Sequence, residues 1–369
     1  MTLSTLVRAL ALAVASVGLS LVALALLAPI SPQAWMPPAP YFASGACDAA
    51  PTISLEILAD GLPGVPDGLA ISPDGRLLAA LSSGDVVSVD RKSGEWRSIA
   101  RTNVRLSGIA VSTAGDVFAV SEEAGPLFGI QRSRLVPVLS EVDGIPLHWT
   151  NDVTATDAGD VFLTSTAANR QLSESYLEVL EHRGTGRLYR FEPTTGRATI
   201  VRDGLLMANG VAFDRALDAL LVAETSAYRL SRLKRDGTVI DVLDGLPGFV
   251  GNIRASDRRD IFWLTVLSPR NPTIDAVAGA PALRRLMAWL PKSMRSNPTQ
   301  MACVVEVHAS TEGMTAKLYR AVAAFPFASF STAIEREGEL YLSPASIVSG
   351  AGGQIYRAHL AVAGAIARD

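Results

Sequence analysis

The sequence predicts an all-β fold: a six-bladed β-propeller with an N-terminal transmembrane helix and a short helical insertion in blade five. Three observations carry this. A strand–turn–strand pattern recurs six times after residue 50. One long uncharged apolar run lies within the first 30 residues. One stretch of helical periodicity interrupts the repeats. The organisation that follows is a signal anchor over residues 1–30, a Pro/Ala-rich linker over 31–50, and the propeller over 51–369.

The apolar run extends from Ala9 to Ile30, after Arg8 and before Pro32, Pro37 and Pro38. A run of about 20 apolar residues can span a bilayer as a helix. A cleavable signal peptide has a shorter apolar region, about 7–15 residues, followed by a small-residue cleavage site. No such site follows directly, so an uncleaved anchor is the expectation and secretion after cleavage the alternative. Arg8 on the N-terminal side favours export of the rest. The expected location is the membrane, with the propeller on its periplasmic or extracytoplasmic side.

The six repeats each pair a small apolar strand with a second, strongly apolar one. Leu69-Ala70-Ile71 precedes Leu77–Leu81, and Ile109-Ala110-Val111 precedes Val117–Val120. Val153-Thr154-Ala155 precedes Val161-Phe162-Leu163, and Val211-Ala212-Phe213 precedes Leu220–Ala223. Ile253-Arg254-Ala255 precedes Ile261–Leu264, and Ala333-Ile334 precedes Leu340-Tyr341-Leu342. Starts about 40 to 60 residues apart, with a longer last step, match the period of a propeller blade. Further strands are visible at Gly186–Phe191, Thr199–Val201 and Gly353–Arg357. An early strand, Ile53–Ile57, is placed to close the ring within the last blade, which removes an exposed sheet edge. The long step holds Pro281–Lys292, with Leu283, Leu286, Met287 and Leu290 at helical spacing. This helix is expected to pack on the propeller. Membrane-surface contact through Arg284, Arg285, Lys292 and Arg295 is the alternative. Gln171–Arg183 reads as a loop or lid over one face.

Composition excludes some classes. Hydrophobic residues make up 49% of the 369, enough for a large core. The 33 basic and 36 acidic residues give a net charge of −3 without a basic block, so no nucleic acid is expected as partner. The two cysteines, Cys47 and Cys303, are too few for a structural zinc site. They form either one disulfide in an oxidising compartment or two free thiols. No nucleophile elbow, phosphate loop or dinucleotide fingerprint appears.

Four oxygen-bearing residues, Asp67, Asn151, Asn209 and Asn252, stand just before the first strand of their repeats. In a propeller the first strand of each blade lines the central channel, so these residues converge at one face. One carboxylate and three amide oxygens suit a hard cation such as Ca²⁺, which takes six to eight oxygen ligands. Cys or His, which softer metals want, is absent there. Taken singly, each is equally an ordinary turn residue bonding local backbone. Asp152 and His148 flank Asn151 as candidate bases, with no catalytic residue assigned. Glu224 is a candidate for holding the neighbouring loop.

Several stretches resemble the strictosidine synthase-like family. They are Thr150–Val153, Gly184–Leu188, Asp203–Ala212, Leu221–Thr225, and Leu246–Phe249 followed by Asn252–Arg254, in matching order and spacing over about residues 55 to 360. Gluconolactonases and paraoxonases are more distantly similar. The resemblance implies a membrane-anchored, calcium-dependent esterase or lactonase acting on a small-molecule ester or lactone, with the metal at Asp67, Asn151, Asn209 and Asn252. The chain departs from the pattern in four places. Gly251 stands where relatives carry Asp, a ligand and base in gluconolactonases, and Asp67 stands where those carry Glu. Ser107 replaces a paraoxonase histidine. Ser331 lies near the strictosidine synthase catalytic Glu, so a Pictet-Spengler condensation is not expected. The rival reading is a non-catalytic propeller that binds a ligand or protein through a degenerate metal site.

Overall fold

The computed structural model describes every residue except 1–2, 124, 296–297, 328, 346–351 and 361–369. The final residues of the expected propeller segment therefore lie outside the described residues. The chain divides into two compact units: Met1–Pro37 with Ser173–Arg183 and Asn271–Asn297, and Pro38–Leu172 with Gly184–Arg270 and Pro298–Asp369.

The larger unit is built of strands, and the six strand pairs visible in the sequence are its antiparallel hairpins. Leu69 lies opposite Ala79, Ile109 opposite Ala119, and Val153 opposite Leu163. Val211 faces Val222, Ile253 faces Leu264, and Ala333 faces Leu342. The hairpin turns need a left-handed residue. Glycine supplies it at Gly115 and Gly159, whereas Asp218 and Asp260 adopt it at φ 48° and 58°.

Among the described residues the strands form two four-stranded sheets, one small hairpin and two eight-stranded sheets. Each eight-stranded sheet is two four-stranded runs joined by a parallel contact, Thr52 beside Arg320 in one and Arg101 beside Arg134 in the other. The first strands of the hairpins are Pro66–Ile71, Ile109–Val111, Thr150–Ala155, Ala208–Asp214, Gly248–Ala255 and Phe330–Arg336. Each touches the next, and the last touches the first, closing a propeller-like ring. The strand Thr52–Ala59 pairs with Ile355–His359, with Leu55 opposite Ala358, so the chain's beginning completes its last sheet.

Burial falls from the axis outward. Leu77–Leu81 and Ala219–Glu224 are buried along their whole length, whereas only one residue of Trp96–Arg101 is. The inner strands approach so closely that side chains are excluded at some points. A Cβ on Gly68 would stand 2.5 Å from the Ser107 carbonyl oxygen, and one on Gly108 would stand 2.6 Å from Asp152 Cα. Cys47 and Cys303 are disulfide-bonded, with Cα atoms 6.0 Å apart.

The smaller unit carries the helix Leu3–Leu26, which starts earlier than the apolar run and ends before Pro29. Among the described residues it is the one helix long and apolar enough to cross a membrane. Ser175–Glu181 forms a helix where a loop was expected. Pro281–Met287 is helical, but its faces differ from the expected ones. Leu283 is half exposed, and Arg284 is fully buried, donating to the carbonyls of Leu180 and Gln33. Arg284 therefore serves the interior of this unit and is unavailable for a membrane surface. Trp289 donates its indole N–H to the Leu24 carbonyl at 2.8 Å.

Candidate functional site

The inner strands fix the site because the four polar residues lie within them rather than before them, three near the N-terminal end and Asn252 in mid-strand. Asp67 is the second residue of Pro66–Ile71 and Asn151 the second of Thr150–Ala155. Asn209 is the second of Ala208–Asp214, and Asn252 the fifth of Gly248–Ala255. Asp67, Asn151 and Asn252 are buried, and Asn209 is half-buried.

A continuous network joins three of the four. Asp67 Oδ1 accepts from the Ser331 hydroxyl, and Asp67 Oδ2 lies 3.4 Å from Arg105 Nη2. Arg105 Nε reaches Glu122 Oε2 at 3.4 Å, and Glu122 Oε1 accepts from Asn151 Nδ2 at 3.1 Å. On the other side, Thr332 Oγ1 donates to the Asp67 carbonyl at 2.8 Å and accepts from Asn252 Nδ2 at 2.9 Å. Asn209 joins the ring through its backbone, where its carbonyl accepts from Thr164 Oγ1.

The electrostatics follow from burial. Desolvation raises the Asp67 carboxyl above its ordinary range, against the opposing pull of Arg105 and Ser331. Glu122 is pushed up to about 7, first by burial and then by the charge of Asp67. Asn252 Oδ1 is buried and has no hydrogen-bond partner. An unpaired buried carbonyl oxygen costs about 1–3 kcal/mol, so such an atom calls for a cation or donor. The donor set is all oxygen, with carboxylates at Asp67 and Glu122 and amides at Asn151, Asn209 and Asn252. It fits a hard divalent ion.

The flanking candidates sort differently. Asp152 is not placed to act as a base. Its carboxylate forms a buried bidentate pair with Arg254, at 2.6 and 2.8 Å, and also accepts from the Val211 N–H at 3.0 Å. It is a strut across the ring, and Arg254 Nε extends that strut to the Leu69 carbonyl at 2.9 Å. Glu224 does hold its neighbouring loop. It accepts from the Leu206 N–H at 2.9 Å while Arg229 and Ser231 bind its carboxylate. His148 is half-buried, with its carbonyl accepting from Ser165. The buried Ser107 hydroxyl lies 3.3 Å from the Val120 carbonyl and 3.4 Å from that of Thr150. At Gly251 a Cβ would stand 2.6 Å from Thr265 Oγ1 and 3.0 Å from Leu267 Cδ2, so the space that an acid would need is filled.

Sequence reasoning missed Arg105 and Glu122, and assigned Arg254 no role. A signal for Glu122 existed: it follows the second strand of its repeat much as Glu224 ends the second strand of its own. Arg105 carries no comparable mark. A separate cavity of about 400 Å³ is lined by the C-terminal ends of the same inner strands, including Ile71, Val111, Ala155, Phe213 and Glu335. Arg254 also lines it, so the Asp152–Arg254 pair lies between that cavity and the Asp67 network.

Comparison with known proteins agrees with this architecture. The strictosidine synthase family model matches residues 151–236. Strictosidine synthase-like 13 of Arabidopsis thaliana is 30% identical over 174 residues, 46% of this chain and 42% of that protein. Adipocyte plasma membrane-associated protein of Rattus norvegicus is 29% identical over 231 residues, 58% of this chain and 61% of that protein. The matched stretches thus span about half the length of these relatives. Among solved structures, a gluconolactonase from Xanthomonas campestris superposes with a TM-score of 0.58 at 15% identity, covering 90% of this chain and 98% of that one. The calcium-binding protein regucalcin from Agrobacterium tumefaciens gives 0.56 at 12% identity, covering 84% and 96%. At such identities the likeness is one of fold. By sequence, the chain is a relative of the strictosidine synthase-like proteins, at modest identity.

Proposed function

We propose that this chain is a membrane-anchored, six-bladed propeller that hydrolyses a small ester or lactone with the help of calcium. Asp67, Asn151, Asn209 and Asn252 would hold the ion. The observation that carries the reading is the buried, unpartnered Oδ1 of Asn252, in one network with Asp67 and Asn151. A calcium ion bound there would polarise a carbonyl and acidify a bound water. The chain's own residues do the rest. Ser331, Thr332 and Ser343 fix Asp67 by hydrogen bonds, and Glu122 orients the Asn151 amide so that its oxygen stays free. The Asp152–Arg254 strut ties the inner strand that carries Asn151 to the one that carries Asn252. The neighbours named gluconolactonase and calcium-binding regucalcin support the reading through fold.

The anchor reading rests on the apolar helix Leu3–Leu26 and on the relative named as plasma membrane-associated. It places the strand unit on the extracytoplasmic side, where the Cys47–Cys303 disulfide is stable. The mass of the mature chain recovered from membranes tests it: an intact N-terminus supports an anchor, and a chain starting after residue 30 contradicts it.

Hydrolysis of aryl esters and lactones at saturating calcium tests the activity. Turnover that disappears with EDTA and with Asn209→Ala supports it. No turnover of any such substrate favours a ligand-binding propeller. One observation favours that second reading: Gly251 has no room for the acid that gluconolactonases use there.

A further inference from the structure

The network at the Asp67 end of the ring holds two buried carboxylates, Asp67 and Glu122, and the half-buried guanidinium of Arg105. Arg105 contacts Asp67 and Glu122 at 3.4 Å each, well beyond the 2.7–2.9 Å usual for charge-assisted bonds. The second Arg–carboxylate pair of the ring, Arg254 with Asp152, is bidentate at 2.6 and 2.8 Å. The Asp152–Arg254 contacts are thus the shorter of the two sets. Asp67 is linked through its own carbonyl and Thr332 to the amide N–H of Asn252, whose Oδ1 is unpartnered.

We propose that Arg105 is a built-in counter-cation that competes with the divalent ion, and that Glu122 supplies the second negative charge that Gly251 does not. This rests on the metal reading above and concerns how the same site is loaded. With Arg105 between them, the two carboxylates are bridged by a single positive charge. A divalent ion placed near Asp67 would then meet a like charge within a few ångströms. Loading the ion requires the guanidinium to swing away, which frees both Asp67 and Glu122. Two carboxylates then balance a 2+ ion, where Asp67 alone would leave it under-neutralised. Arg105 therefore sets the calcium concentration at which the site fills.

The test uses the full-length chain in detergent, titrated calorimetrically with calcium chloride, for wild type, Arg105→Met and Glu122→Gln. Removing one like charge beside the ion should tighten calcium binding by about tenfold or more in Arg105→Met. That variant should also melt lower than wild type in EDTA and recover in calcium. Glu122→Gln should weaken binding by a similar factor. Arg105→Lys, which keeps the charge but cannot bridge both carboxylates, is the second variant should Arg105→Met fail to fold. It should gain affinity, by less. If wild type binds calcium and the Arg105 and Glu122 variants bind it equally well, the competition is overturned while the metal site stands. If neither wild type nor any Arg105 variant binds calcium at millimolar concentration, the metal reading fails and this inference falls with it.

Discussion

Asp152 and Arg254 show how much depends on single residues in this ring. Both are buried, and each neutralises the other. Asp152→Asn would leave a buried guanidinium without its charge partner, which costs about 3–5 kcal/mol. Urea unfolding should show that loss, and adding Arg254→Met should recover part of it. Gly251 makes the complementary point. Restoring the acid that relatives carry drives a Cβ toward Thr265 Oγ1, so Gly251→Asp should destabilise by about 1–3 kcal/mol instead of improving the site. Thr265→Ala in the same chain should relieve part of that loss, and a thermal melt of the single and double variants checks it. The candidate ligands were legible because they recur at one phase of a repeat. Arg105, Glu122 and the Arg254–Asp152 pairing were not. Arg254 and Asp152 are 102 residues apart and meet only once the ring has closed.

At the scale of elements, legibility followed burial. The two inner strands of each repeat are covered on both faces, so they read as dense apolar runs. The outer strands, such as Trp96–Arg101 and Val239–Leu243, are largely exposed and carry no such run. The helix Pro281–Met287 was found, but its orientation was not. Helical spacing of Leu283, Leu286 and Met287 implies an apolar face, whereas the unit uses Arg284 to satisfy carbonyls of two other segments. Arg284→Ala would leave those carbonyls unpaired, so the Ser173–Arg183 segment should exchange amide hydrogens and be cut by protease faster than in wild type. The disulfide ties the segment before the first strand to Cys303–Ser310. Reducing it should cost about 2–4 kcal/mol, through the freedom regained by the unfolded chain. Melting with and without reductant measures this.

For the whole molecule, the repeat period and the early strand Ile53–Ile57 imply a closed ring from sequence alone. Pairing of Thr52–Ala59 with Ile355–His359 completes it and leaves the last sheet no raw edge there. The ring gathers residues from distant parts of the chain at its two ends. One end holds the Asp67 network, and the other holds the cavity lined by Ile71 and Phe213. The buried Asp152–Arg254 pair joins two of the inner strands, and Arg254 also lines that cavity. The proposed hydrolysis depends on a divalent cation held at the Asp67 end. Calcium titration of the full-length chain, followed by calorimetry and by thermal melting, addresses it most directly. Binding should be saturable and lost in Asn209→Ala, with a stabilisation of about 2.7 kcal/mol at 100 times Kd. The absence of both heat and melting shift at millimolar calcium would contradict it and leave a propeller that holds some other ligand.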